Sequence, residues 1–255
     1  MAAALSCPSM LDAIDLDQAR PIAVGGGRRI YAHPCDKNLL IKVIDPQARA
    51  QYMMRHRFKR WYKRLHRASA YRGFIGEFSE SVIVAARNAH WDRLPMARVA
   101  GVVDTSQGPG LLVEKIRGLD QDLAPTLEAV VRQHGLGPEL RQALDALLQA
   151  FIAAHIVIND MSASNIVMGT NAQGKQGLFL IDGFGVKQKV PLYALSKSLN
   201  ARHLREHFGQ MLGKLERIAA VRQSACPPAA AIARNAPRLA DILEEEIEAP
   251  GTAVH

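Results

Sequence analysis

Five residues in the 255-residue chain are of types that do chemistry and stand in an order that could bring them to one site: Lys42, Glu77, Asp160, Asn165 and Asp182. Lys42 interrupts the apolar run Leu39-Leu40-Ile41-Lys42-Val43-Ile44. A charge inside a buried strand must be paired, because an unpaired one is costly. Either this is an edge-strand lysine reaching water, or it points into a cleft where an ammonium can hold phosphate oxygens. In the second case a carboxylate must orient it; Glu77 is the first candidate and Glu80, one turn on, the reserve. Asp160 and Asn165 are five residues apart on a loop, so an Asp able to accept a hydroxyl proton meets an Asn whose amide oxygen suits a hard cation. The plainer alternative is a polar loop with capping side chains. Asp182 closes the apolar run Leu178-Phe179-Leu180-Ile181 and precedes Gly183, leaving its carboxylate free for Mg2+, although Asp-Gly is also a common turn. Upstream, Gly25-Gly26-Gly27 could let the backbone approach a phosphate, or simply turn a hairpin.

The elements that must position these residues follow from periodicity. Ile22 to Val24, the three glycines and Arg28 to His33 read as strand, turn, strand. Asn38 to Ile44 reads as a buried strand and Phe74 to Asn88 as a helix. Arg98 to Asp104 and Gly110 to Ile116 read as strands joined by the turn-rich run 105–109. Thr126 to His134 and Pro138 to His155 read as helices. In the second, Leu140, Leu144, Leu147, Leu148, Phe151 and Ile152 form one apolar stripe, with Pro138 suited to a first turn. Two short strands are expected within Ile156 to Met168 and over Gly177 to Ile181. The remainder reads as helical, broken at Pro227-Pro228 and ending in an acidic helix, Leu239 to Ile247. The first 20 residues read as weakly ordered, with a short helix over Met10 to Arg20. The order is an antiparallel β region followed by an α-rich one. This predicts a two-lobed α+β fold rather than the alternating units of a doubly wound sheet. The expected partition is an extension over 1–20, a β-rich lobe over 21–113 with a basic helical insert at about 46–73, a compact helical lobe over 114–248 and a tail over 249–255.

Composition sets the outer limits. With 48% apolar and 22% charged residues the chain is not a disordered one. Three scattered cysteines argue for no disulfide framework and for a reducing, cytoplasmic compartment. No run is long and apolar enough to span a bilayer. The net charge of +8 is local: nine Lys and Arg between Asp45 and Glu77 face no acid, while the rest of the chain has 23 basic against 24 acidic residues. Phe58, Trp61, Tyr62 and Leu65 make an apolar face within that segment. It reads either as a surface for phosphates, an anionic glycan or acidic lipid, or as a solvated helix packed by its aromatic stripe.

The order of glycine turn, strand lysine, helix glutamate, Asp-x4-Asn loop and strand-Asp-Gly resembles the protein-kinase-like phosphotransferases over roughly Ile22 to Arg222. A closer resemblance, on Gly27-Arg28, Tyr31-Ala32-His33-Pro34, Ile41-Lys42-Val43, Gly101-x-Val103-Asp104-Thr105, Gly110-Leu111 and Val113-Glu114, is to the YrbL (PhoP regulatory network protein) family of bacterial kinase-like proteins. The resemblance implies ATP and Mg2+ as cofactors. It implies that Gly25, Gly26 and Gly27 cover the phosphates and that Lys42, held by Glu77, contacts the α- and β-phosphates. The backbone from Glu114 to Ile116 would take the adenine, Asp160 would serve the acceptor hydroxyl, and Asn165 and Asp182 would hold Mg2+. It departs from eukaryotic-type kinases at Ile158-Asn159, where His-Arg is usual, and at Asp182-Gly183-Phe184, where Asp-Phe-Gly is usual. The short remainder after Asp182 points to a small-molecule, sugar or lipopolysaccharide-type acceptor rather than a peptide.

The leading expectation is an active phosphotransferase in the cytoplasm, with the inner membrane face as an option. Arg55, Arg57, Lys59 and Arg60 would meet an anionic acceptor or that membrane face. A kinase-like regulator that binds nucleotide or a partner without turnover is the second reading. A nucleic-acid module is the third, and it leaves the five-residue constellation unexplained.

Overall fold

The computed structural model describes residues 12–25, 27–45, 47, 71–88, 91, 94–120, 122–186 and 192–225. The basic segment with Arg55, Arg57, Lys59 and Arg60, residue Gly26, the Pro227-Pro228 break and the acidic final helix lie outside them.

The first half builds a five-stranded antiparallel sheet in the order β1-β2-β3-β5-β4. Its strands are β1 (Ala23–Gly25), β2 (Arg28–Ala32), β3 (Leu39–Ile44), β4 (Val99–Val103) and β5 (Gly110–Glu114). β3 lies between β2 and β5, so both its edges are paired and the edge-strand reading of Lys42 is overturned. Alternation along β3 sorts its side chains between two apolar clusters. Ile41 and Val43 pack with Tyr31, Leu112, Ile14 and Leu16 on the outer face. Leu40 packs on the other face with Phe74, Leu111 and Val113, and Lys42 shares that parity.

The helix expected over Met10 to Arg20 is absent from its described part. Ile14 instead makes a parallel bridge to Thr105, with its N–H on the Asp104 carbonyl at 2.9 Å. Ile14 and Leu16 are 5% and 2% exposed. Two apolar residues at spacing two suit a sheet face better than one turn of helix, and burial of each is worth roughly 2 kcal/mol. Cys35 is disulfide-bonded, which departs from the expectation of unpaired cysteines; Cys7 and Cys226 both lie outside the described residues.

Helix α1 (Arg72–Asn88) turns Phe74, Glu77, Glu80, Ser81 and Val84 inward. After β5 come α2 (Leu127–His134), capped by the Thr126 side chain, and α3 (Pro138–Ala153), which starts on its proline. The hairpin of β6 (Ile166–Thr170) and β7 (Gln176–Leu180) follows, then α4 (Leu192–Leu195) and the long α5 (Lys197–Ala225). The leucine stripe of α3 and residues Leu204, Phe208, Met211, Leu215 and Ala219 of α5 join one core. These α5 positions recur at spacings of three and four, one helical face. Helix α3 stops two residues short of the expected end, because His155 adopts φ of +52°, a left-handed conformation that a helix cannot contain. Among the described residues no helix is long and apolar enough to cross a membrane.

Candidate active site: a four-charge cleft between sheet and helical part

Lys42 is paired, and its position follows from three elements. β3 aims it toward α1, where its ammonium lies 3.5 Å from Glu77 Oε2, and it donates at 2.7 Å to the carbonyl of Ile181, just after β7. Glu77, 2% exposed, is held from the other side by Arg28, whose Nη2 lies 2.7 Å from Glu77 Oε1. The Nη1 of Arg28 reaches Asp182 Oδ2 at 2.8 Å. The second oxygen of Asp182 accepts from the Gly183 N–H at 2.6 Å. Two cations and two carboxylates therefore close on one another in a partly dry site, where such pairs are stronger than at the surface.

Arg28 is the residue that sequence reasoning passed over. From the sequence it reads as the first residue of the strand that follows the glycine turn, with no role of its own. The turn is closed by pairing of Gly25 with Arg28, with Gly27 at φ +75°. Its place shows only in the strand register. Ile30 pairs with Lys42, so Arg28, two residues earlier on β2, falls on the same sheet face as the lysine. The Arg28 guanidinium also lies 5.1 Å from the centre of the Phe74 ring. Gly25 and Gly27 have open space where a side chain would begin.

The segment 157–165 is laid against 181–185 by backbone bonds. Asn159 and Asp160 donate to the Gly183 carbonyl at 2.8 and 3.1 Å, Gly185 donates to Val157 at 2.8 Å, and Ile181 donates to Asn165 at 2.8 Å. This brings the exposed Asp160, the half-buried Asn165 and Asp182 to one side of the cleft. Asn165 Nδ2 donates to the Asp160 carbonyl at 3.0 Å, so the amide oxygen, not the nitrogen, is the atom that could meet a cation. Gly183 is required at φ +84°; a Cβ there would meet the Asp160 carbonyl at 2.6 Å. Phe184, next to it, is 2% exposed in the core and bridges to Ile158, the position where His is usual.

Glu80 does not reach Lys42. Its Oε1 accepts from the Val157 N–H at 2.8 Å, tying α1 to the Asp160 loop. From below, Asn200 and His203 of α5 contact the carbonyls of Ile156 and Ile158 at 2.9 and 3.2 Å. Glu80, Asn200 and His203 thus fix the loop that carries Asp160, a support no local motif announces. Glu114 is bound up structurally: its carboxylate accepts from the N–H groups of Arg98 at 3.0 Å and Ala172 at 2.7 Å. The carbonyl of Ile116 accepts from Ala124 at 3.1 Å.

Burial pushes the Glu77 carboxyl up, and nearby Asp182 adds to this, against the pull of Lys42 and Arg28. For Asp182, burial acts upward too, but Lys42 and Arg28 outweigh it and hold the carboxyl below the ordinary range. A carboxyl lowered by folding stabilises the protein fully above its unfolded value, about 3.9, and loses that contribution as pH falls through the folded value. The difference in unfolding free energy between wild type and Asp182→Asn, measured in urea, should therefore stay level from about pH 7 to about pH 5 and shrink below about pH 4. A difference that grows on acidification would contradict this sign.

An antiparallel sheet with a strand lysine paired to a helix glutamate, facing an Asp-x4-Asn loop and a strand-end aspartate on the helical part, defines a protein-kinase-like fold. The sequence agrees in particular. Residues 14–216 match the family described as PhoP regulatory network protein YrbL, and the chain belongs to that family. It is 25% identical over 187 residues to the uncharacterized protein YrbL of Escherichia coli (strain K12), covering 72% of this chain and 79% of that one. The same figures hold for the uncharacterized protein YrbL of Shigella flexneri. Among solved structures, Rad53 1-466 in complex with AMP-PNP matches with a TM-score of 0.39 and 15% identity, over 66% of this chain and 38% of that chain's length.

Proposed function

We propose that this chain is an ATP- and Mg2+-dependent phosphotransferase whose acceptor is a hydroxyl of a small molecule, sugar or lipopolysaccharide-type glycan. The observation that carries the reading is the convergence of Lys42, Glu77 and Asp182 on one cleft, with Asp160 and Asn165 on the adjoining loop. Lys42 binds phosphate oxygens, and Glu77 keeps its ammonium aimed. The β1–β2 turn, with Gly25, Gly26 and Gly27, covers the phosphates with N–H groups, and the stretch Glu114 to Ile116 borders the adenine. Asp160 orients the acceptor hydroxyl and takes its proton as the oxygen attacks. Asn165 and Asp182 supply two hard oxygen donors, which suits Mg2+, an ion that keeps waters and shares phosphate oxygens. When bound, Mg2+ supplies charge neutralisation between the transferred and leaving groups.

One reading beyond the cleft belongs to this proposal. The basic segment at about 46–73 contacts the anionic acceptor, or the membrane face that presents it. A regulator that binds nucleotide without turnover is the second functional reading, favoured by one observation: Arg28 sits on the carboxylate oxygen that a metal would use. Incubation with Mg·ATP, with ADP release followed across a panel of sugars and glycan acceptors, separates the two. Acceptor-stimulated release supports transfer. Thermal stabilisation by ATP with no ADP above a protein-free control supports the regulator, and neither response sinks both.

A further inference from the structure

Arg28 is a built-in cation of the cleft. Its guanidinium spans Glu77 Oε1 at 2.7 Å and Asp182 Oδ2 at 2.8 Å. It packs against Phe74 and beside Gly73, where a Cβ would meet its Nη2 at 2.9 Å. With Lys42, the site holds two positive and two negative groups and is balanced. Bringing a dication to Asp182 while Arg28 stays would place it against a guanidinium already bound to the same carboxylate. Drawing Arg28 away without a new partner would leave a mostly buried cation stranded. A phosphate chain removes both difficulties at once, because guanidinium binds phosphate oxygens in the same forked geometry it uses for carboxylates.

We propose that Arg28 and a divalent cation compete for Asp182, and that nucleotide phosphates admit the cation by drawing Arg28 onto themselves. Arg28 is then a third phosphate-contacting residue besides Lys42 and the glycine turn, and metal binding is coupled to nucleotide binding. This rests on the nucleotide reading of the cleft in its phosphate half only; the competition for Asp182 stands on the ion pairs alone.

The test uses Mn2+ as the probe and the full chain without nucleotide, titrated by calorimetry. Wild type should bind Mn2+ weakly. Arg28→Gln should bind it about tenfold more tightly or better, the size expected for removing one charge-assisted competitor. Arg28→Gln combined with Asp182→Asn should lose the gain. A separate titration with AMP-PNP in the presence of a chelator should show about tenfold weaker binding for Arg28→Gln than for wild type. Arg28→Lys, which keeps the charge but cannot span both carboxylates, should fall between the two in both titrations. It serves as the folded control should the glutamine variant unfold. Mn2+ affinity unchanged in Arg28→Gln and Arg28→Lys, or a gain that survives Asp182→Asn, overturns the competition and leaves Arg28 a structural tie. Wild type that binds no AMP-PNP overturns the phosphate half together with the nucleotide reading, while the Mn2+ comparison still decides the competition.

Discussion

Asp182→Asn is expected to lower Mg·ATP turnover by about 10³-fold or more while leaving the fold intact. Asp182 ends the run that begins with β7, and backbone bonds on either side of it, from the Ile181 N–H to the Asn165 carbonyl and from the Asn159 and Asp160 N–H groups to the Gly183 carbonyl, hold this stretch against the Asp160 loop. The substitution preserves shape and one oxygen but removes the charge that would hold a hard cation in the proposed site. It also removes the partner of Arg28 Nη1, so a modest loss of stability accompanies the loss of rate. Steady-state ADP release and urea denaturation on the same preparation separate the two effects. Turnover within about threefold of wild type at saturating Mg2+ would remove Asp182 from the metal site.

Glu77→Ala has the largest expected effect on folding. Glu77 is 2% exposed and serves two cations, Arg28 at 2.7 Å and Lys42 at 3.5 Å. Removing one partner of a buried charge pair costs about 3–5 kcal/mol, because the remaining charges stay buried without compensation. Here Lys42 keeps the Ile181 carbonyl and Arg28 keeps Asp182, so the lower end is expected. Glu77→Gln, which fills the same space and can still accept a hydrogen bond, should cost roughly half as much. A loss below about 1 kcal/mol for the alanine variant in urea would mean that water reaches the pair and screens it.

Much of this is legible in the sequence. A single lysine in a six-residue apolar run can sit in a paired strand only if something answers its charge, and a carboxylate on the next helix is the nearest means. The α3 stripe and the proline at its start were likewise readable, because helix burial repeats every three to four residues. The Asp160 loop and the Asp182-Gly183 strand end were visible as residue types but not as neighbours. What brings them together is backbone hydrogen bonding between segments about 20 residues apart, which no spacing rule encodes.

The residues whose roles do not show in the sequence fall into two kinds. Arg28 reads from the sequence as the start of a strand after the glycine turn, and only strand pairing shows that it shares a face with Lys42. Glu80, Asn200 and His203 act across 77, 44 and 45 residues of chain on the backbone of 156–158. Such contacts depend on how helices cross, not on local pattern. Ile14 and Leu16 fall within the short helix expected over Met10 to Arg20, and two apolar residues alone cannot distinguish a helical turn from a strand.

The central claim is that the cleft between β3, α1 and the 181–185 segment receives the phosphates of a nucleotide. A crystal structure of the full chain with Mg·AMP-PNP tests it most directly. The triphosphate should lie beside Lys42 and the metal between Asn165 and Asp182, with Arg28 moved from Asp182 onto a phosphate oxygen. A nucleotide bound elsewhere, or a phosphate chain with no contact to Lys42 while Arg28 still holds Glu77 and Asp182, would contradict it.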